Sequence, residues 1–396
     1  MGFSGDTIVL MHDGDTKKIK NVRVGDELAS PDGNAVIVTE IEKTQKEMYH
    51  VYPVKGSPYT ISADHKLMLK TSHTSAIYLN KLKTSYIIDW IEKFHRLRKS
   101  FSLKKFGSKK RAFVAVKNFL KNEIPSRSDH TQNGDILKIP VEDFCDLSNK
   151  MQRLYKGFSL GIDFEEKNME FDPYVLGYWL GDGTSRDTGI TTAEPEIVEY
   201  FENFAEEHGL IFKNQGKNKY AYRVSSGQHG GSPGRNPFMN FLKSQNLIYN
   251  KHIPDDYKFN SREVRLEVLA GLVDSDGYYG NGCYEFTFKS EKLADDIIFL
   301  SRSLGFKAEK RKVKKTCTNS SCGRVTGTYY RFFIYGEGLH KVISRLDRKM
   351  ASKRKQIKNA SVTGLTILWN GIKDCYELKT NSNSLLLLDD FTIVHK

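Results

Sequence analysis

Two carboxylates in matching settings are the first chemistry this sequence offers. Tyr174-Val175-Leu176-Gly177-Tyr178-Trp179-Leu180-Gly181-Asp182-Gly183 and Val268-Leu269-Ala270-Gly271-Leu272-Val273-Asp274-Ser275-Asp276-Gly277 are both apolar, helix-length stretches. Each carries small residues inside and ends in Asp-Gly. Gly and Ala within an apolar helix let another helix backbone come close, and the final Gly is a natural helix stop. If the two helices pack side by side, Asp182 and Asp276 meet at their tips, where they repel unless a cation lies between them. Hard oxygen ligands suit Mg²⁺ (or Mn²⁺), with water and phosphate completing the shell. That is the layout for metal-assisted phosphodiester cleavage. One such stretch alone would read as a buried helix with a capping turn; two matching copies favour the paired site.

Holding two helix tips together calls for a region of alternating helices and strands, and the pattern predicts one over residues 172–358. The ends of the chain differ. The first eighty residues read as short strands broken by turns at Asp13-Gly14, Gly25-Asp26 and Asp32-Gly33, and the last thirty look the same. From residue 81 to about 122 the pattern is basic and reads as helical, with Tyr86, Trp90, Phe94, Phe101, Phe106, Phe113 and Phe119 interleaved. The arrangement predicts a β domain built from both ends, with the middle inserted into it.

Composition narrows the function classes. The 396 residues, 39% hydrophobic and 12% aromatic, suffice for two or three domains and exclude wholesale disorder. No apolar run reaches the roughly 18 residues of a membrane helix, so no membrane partner is expected. The first residues lack the basic-then-apolar pattern of a signal peptide. Five cysteines suggest a reducing compartment and not a disulfide scaffold, so the expected location is intracellular, with nuclear access if the source is eukaryotic and cytoplasmic otherwise. The net charge of +13 is unevenly placed: residues 81–121 carry net +11 and residues 306–358 net +13, which leaves the remainder acidic. Two concentrated basic blocks point to a phosphate backbone.

Leu269-Ala270-Gly271-Leu272-Val273-Asp274-Ser275-Asp276-Gly277 resembles the LAGLIDADG homing-endonuclease motif nearly letter for letter, and residues 176–183 are similar to its looser first copy. The resemblance covers about residues 172–358. It implies an α/β endonuclease of two pseudo-symmetric αββαββα-type halves, with saddle-shaped sheets in the DNA major groove and one acid cutting each strand. Asp182 and Asp276 would be the catalytic acids and metal ligands, with Gly181 and Ser275 beside them in the ligand set. Intein members of the family carry a lysine near each centre. Asn250-Lys251-His252-Ile253-Pro254 makes Lys251 the first, and Ala351-Ser352-Lys353-Arg354-Lys355 makes Lys353 the second, with Arg354 or Lys355 as alternatives.

The β-rich ends resemble the mostly-β splicing domain of the hedgehog/intein (Hint) fold. Phe3-Ser4-Gly5-Asp6-Thr7 with Val24-Gly25-Asp26 looks like its first block. Thr60-Ile61-Ser62-Ala63-Asp64-His65 looks like the Thr-x-x-His block with Ser62 in place of the threonine, and Asp390-Phe391-Thr392-Ile393-Val394-His395 looks like the last block. The order of parts is close to that of the yeast vacuolar-ATPase intein endonucleases. Their added DNA-recognition region would correspond to residues 81–140, with Lys81, Lys83, Arg96, Arg98, Lys99, Lys104, Lys105, Lys109, Lys110 and Arg111 on the DNA. The splicing domain would comprise residues 1–80 and 364–396, and the endonuclease residues 172–360.

Two positions depart from a splicing element. Gly2 stands where the Cys or Ser nucleophile belongs, and Lys396 where the cyclising Asn belongs; Ser384 stands where an assisting His is frequent. The expected protein is therefore a monomeric, Mg²⁺-dependent, site-specific nuclease for double-stranded DNA, with the intein-less host gene as target, on a splicing-inactive scaffold. A splicing-competent intein and a non-cleaving nucleic-acid-binding relative are the alternatives. Cys317 and Cys322 lack a second pair of zinc ligands and read as an exposed thiol pair. Residues 222–234 read as a mobile loop between saddle strands.

Overall fold

The computed structural model describes every residue except 74, 93, 128–129, 217, 228–234, 321–322, 354–358 and 383–384; at residues 317–320 and 323–325 it describes the backbone alone. The chain divides into two compact units, one of Met1–Ser30, Ala35–Ser159 and Val362–Lys396, the other of Pro31–Asn34 and Leu160–Ser361.

In the first unit the two ends of the chain share a sheet. Strand Phe3–Ser4 lies between Tyr59–Ser62 and Leu365–Thr380, with Phe3 opposite both Ile61 and Tyr376. Strand Ala35–Pro53 pairs with Leu365–Thr380 along a ribbon whose register slips between Trp369 and Ile372. Gly371 supplies the backbone there, at φ +81°, a value side chains resist and bulges need. A second sheet runs Ile136–Pro140, Lys66–Thr71, Tyr155–Phe158, Val362–Thr363. Phe3, Val9, Leu28, Val36, Ile61, Leu69, Tyr155 and Leu388 bury the core between these strands, each large side chain contributing about 1.5–3 kcal/mol.

The basic stretch departs from the helix expected over residues 81 to about 122. It begins as strands, Ala76–Leu79, Ser85–Glu92 and His95–Ser102, and is helical only from Leu103 onward. Tyr86 and Trp90 are four apart, which suggests a helical face. Four is also even, so a strand with its period of two keeps them on one side, and the β-branched Ile87, Ile88 and Ile91 favour that outcome. Ile88, Trp90, Phe101, Val116, Phe119 and Ile124 form a small core of their own.

The second unit holds the two motif helices, Pro173–Asp182 and Arg262–Asp276. After the second come strands Tyr278–Gly280 and Cys283–Phe288, helix Glu291–Ser303, then strands Lys307–Ser320 and Gly323–Tyr335, forming a four-stranded sheet. The first half departs from the αββαββα pattern expected of each half. Among the described residues one strand, Gly189–Thr191, precedes helix Pro195–Glu207, and the sheet has three strands. A single bridge, Gly183 to Ile190, stands where the second half has strand Tyr278–Gly280. Of the stretch expected as a loop, Tyr222 to Ser225 belongs to strand Ala221–Ser225, and residues 228–234 lie outside the described residues.

Candidate active site

Local sequence fixes where each motif helix starts and stops. Asp172 accepts a hydrogen bond from the Val175 N–H at 2.9 Å and Pro173 opens the first helix, a favourable N-terminus. Both helices end at their acid. Gly183 and Gly277 follow in extended backbone, φ −75° at each, so they are not left-handed caps. Glycine is required there by closeness: a methyl group at Gly183 would overlap the Trp179 carbonyl, and one at Gly277 would come within 2.8 Å of Val273. The helix–helix contact has the same cause. A methyl at Gly177 would strike the Val268 carbonyl, and one at Gly271 the Tyr174 carbonyl. With backbones that close, the tips converge: a methyl at Gly181 would overlap Ser275 Oγ and lie 2.9 Å from Asp276 Oδ2.

Carboxylates at two helix C-termini oppose both helix dipoles and face unpaired carbonyls. Two lysines compensate. Lys251 Nζ donates to the carbonyls of Gly181 at 3.1 Å and Gly183 at 2.7 Å, and lies 4.9 Å from the centre of the Trp179 ring. Lys349 Nζ donates to the carbonyls of Val273 at 2.9 Å, Asp274 at 2.8 Å and Ser275 at 3.2 Å. The two clasps are counterparts, one per helix. Lys349, in the short turn Asp347–Lys349, thus occupies the place expected for Lys353. Lys353 itself is exposed, and Arg354 and Lys355 lie outside the described residues. The lysine-rich run from Lys349 onward hid the choice from the sequence; the neighbouring turn, not the charge, selects Lys349.

Burial and the proximity of Asp276 push Asp182 up to about 6, and burial raises Asp276 as well. Burial lowers Lys251 to about 8, and lowers Lys349 with help from Arg348. Asp182, Lys349, Glu194 and Thr192 border a cavity of about 200 Å³, flanked by the ion pair of Glu194 with Arg348 at 2.5 Å. The donor set fits a hard divalent cation: two crowded carboxylates that resist ionising together, with the carbonyls of Gly181 and Ser275 alongside. Both carbonyls already accept from a lysine, leaving each a second lone pair. Among the described residues no group of three or more His, Cys, Asp or Glu could hold a metal ion, so any site rests on this pair.

One contributor escaped the sequence reading. Asp274, two residues before Asp276, is buried and accepts from Tyr174 Oη at 2.7 Å, Ser344 Oγ at 2.5 Å and the Arg345 N–H at 2.7 Å. It ties the last turn of the second helix to the segment carrying Lys349. Arg345 continues the network, stacked 3.5 Å from the Tyr174 ring centre and paired with Glu267 at 2.8 Å. In the first helix the same place is taken by Leu180, which is apolar and buried. The extra acid in the second copy was the only signal in the sequence.

Comparison with known proteins agrees with both units. The family of Hom_end-associated Hint domains matches residues 2–132, and the homing endonuclease family matches residues 252–362, between them more than half the chain. The chain belongs to the intein-embedded homing endonucleases. It is 23% identical over 387 residues to the catalytic subunit of the V-type proton ATPase of Candida tropicalis, covering 77% of this chain and 35% of that protein. It is 22% identical over 381 residues to the homothallic switching endonuclease of Saccharomyces cerevisiae, covering 77% and 63%. Over 149 residues it is 32% identical to the replicative DNA helicase DnaB of Mycobacterium intracellulare, covering 37% and 21%. The chain thus spans from about a fifth to under two thirds of these relatives. A crystal structure of I-DmoI in complex with DNA and Mn aligns at 17% identity over 41% of this chain and 88% of that one, with a TM-score of 0.27.

In the Hint unit, the Gly2 N–H donates to Ser62 Oγ at 2.9 Å, and Ser62 donates to Asp64 at 2.6 Å. A methyl at Gly2 would lie 2.5 Å from Cys375 Sγ and 2.6 Å from the Tyr376 carbonyl. His65 is buried edge-on against Phe3, neither ring nitrogen has a partner among the described residues, and burial holds its pKa down to about 3. His395 Nδ1 lies 2.9 Å from the Lys396 carbonyl, and Lys396 Nζ donates to Thr380 Oγ1 at 2.9 Å. Ser384 lies outside the described residues, as do the side chains of Cys317 and Cys322.

The basic insert places its cations unequally. Buried Asp89 accepts from Arg96 at 2.7 Å, Arg98 at 2.7 Å and Tyr78 at 2.9 Å, which fixes two arginines side by side on strand His95–Ser102. Lys99 lies 3.9 Å from the Phe119 ring centre. Lys81 and Lys83 are exposed on the turn before Ser85–Glu92, and Lys104, Lys105, Lys109, Lys110 and Arg111 are exposed on the two short helices.

Proposed function

We propose that this chain cuts both strands of a long DNA site, one strand at each motif-helix tip, as a monomer. The convergence of Asp182 and Asp276 carries the reading, because two crowded carboxylates suit a divalent cation, and the half-buried Lys251 and buried Lys349 beside them suit a phosphodiester whose charge rises during cleavage. Asp182 and Asp276, with the Gly181 and Ser275 carbonyls, would hold Mg²⁺ or Mn²⁺, and such an ion supplies an activated water and charge stabilisation at the leaving oxygen. Lys251 and Lys349 act from fixed positions. Each clamps the peptide units beside its acid, so the carboxylate keeps its aim when DNA arrives, and each offers positive charge to the phosphate within a partly buried site.

Residues 172–360 carry this activity, residues 81–140 grip DNA outside the cut, and residues 1–80 with 364–396 form a splicing-type domain that does not splice. Gly2 offers no nucleophile, its neighbours leave little room for one, and Lys396 cannot cyclise. The exposed Arg311, Lys312, Lys314 and Lys315 on strand Lys307–Ser320 suit the sheet to a DNA groove. Incubation with Mg²⁺ and a randomised duplex library, followed by sequencing of new ends, tests the proposal. Recurrent paired breaks in one sequence are expected; an untouched library contradicts it.

A further inference from the structure

A cavity of about 600 Å³ opens within the Hint unit, apart from the splicing-type residues and the basic insert. Val54 and Leu365 line it together with Arg153, Lys156 and the polar Asn149 and Thr366. Among the described residues no carboxylate lines it. Among the described residues neither cation has an ion-pair partner, and burial, then repulsion from Arg153, lowers the proton affinity of Lys156. Two unpaired cations beside each other are unfavourable unless an anion joins them.

The surroundings fix the backbone that carries the cations. Gln152 Nε2 donates to the carbonyls of Phe144 and Cys145 at 3.2 Å and Leu147 at 3.0 Å, which fixes the segment just before Arg153. Lys156 stands on strand Tyr155–Phe158, anchored by Lys66–Thr71 on one side and Val362–Thr363 on the other. Gly364 keeps the space open: a Cβ there would lie 3.8 Å from Lys156 Nζ and 3.4 Å from Val54 Cγ2. A larger side chain would therefore enter the cavity without overlapping backbone.

We propose that this cavity holds a backbone phosphate of the bound duplex between Arg153 and Lys156, with the adjoining deoxyribose against Val54 and Leu365. The inference rests on the DNA reading above and adds a contact outside the basic insert. Arg153 is exposed, so a duplex backbone can reach it, and the two cations supply the charge a phosphodiester needs.

Phosphate contacts are independent of sequence and set the salt dependence of binding, so an arbitrary duplex serves as the probe. Affinity of the full chain is measured against salt without divalent ions, for the wild type, Arg153→Gln/Lys156→Gln, Gly364→Leu and, as a reference, Lys104→Gln/Lys105→Gln. The double cavity variant should bind about tenfold more weakly and lose about 0.9 units of log–log salt slope, the value for one phosphate. Gly364→Leu, which changes no charge, should also weaken binding and flatten the slope. If both cavity variants keep wild-type affinity and slope while the reference variant is weakened, the cavity is not on the DNA. If inorganic phosphate raises the melting temperature of the wild type but not of the cavity variants, and DNA binding is the same for all, the site serves free phosphate and the proposal is overturned. A wild type that binds no duplex removes the nuclease reading together with it.

Discussion

The two motif helices end in the same clasp and are supported differently. Each tip is a carboxylate beside carbonyls held by one lysine, Lys251 on the first and Lys349 on the second. Behind the second tip a buried carboxylate, Asp274, gathers Tyr174, Ser344 and Arg345. Behind the first there is Leu180, and the lysine lies against Trp179. The same clasp is thus backed by a polar network at one tip and by apolar packing at the other. A buried network is costly when half satisfied, so the second tip should be the more fragile.

The largest effect is expected at the acids. Asp276→Asn should lower double-strand cutting by at least about a hundredfold while leaving DNA affinity nearly intact, read by cleavage and binding assays on one selected duplex. Next come the lysines. Lys349→Met should cost about as much activity as Lys251→Met, on the order of a hundredfold, and Lys353→Met little; the reverse order would return the second centre to Lys353. Third is the backing. Asp274→Leu strands three buried donors and should destabilise the unit by about 3 kcal/mol, seen as a lower denaturation midpoint, with strand-resolved kinetics slowed more on one strand than the other. Leu180→Ala should cost a similar amount through its cavity without that strand bias.

A smaller effect comes from the proton on Asp182. Asp182 is raised from its ordinary 3.8 to about 6 in the folded state, so the metal-free fold binds that proton more tightly than the unfolded chain. The stabilisation is present below about pH 4 and is lost as pH rises through 6, worth about 1–2 kcal/mol after discounting for solvent. Melting curves between pH 4 and 7 without divalent ions should show the decline, and Asp182→Asn should flatten it.

Much of this was legible in the sequence because the features concerned are local and repeated. The two Asp-Gly stretches announce themselves by length, small residues and duplication, and the β-rich ends by their turns. What was missed depends on distance in the chain. Lys349 is chosen by a turn that packs on a helix more than seventy residues earlier, which no spacing within the Lys349–Lys353 run reveals. The insert misled for a different reason: aromatic spacings of four satisfy helix and strand alike. The first half was expected to mirror the second, but its turn after Gly183 is closed by Thr184 and Asp187 onto Gly189, leaving room for a bridge instead of a strand.

The most direct measurement is strand-resolved cleavage of a selected duplex in Mg²⁺ by the wild type, Asp182→Asn and Asp276→Asn. The wild type should break both strands, and each single substitution should block the double-strand break. Unimpaired double-strand cutting by both variants would show that the chemistry lies elsewhere.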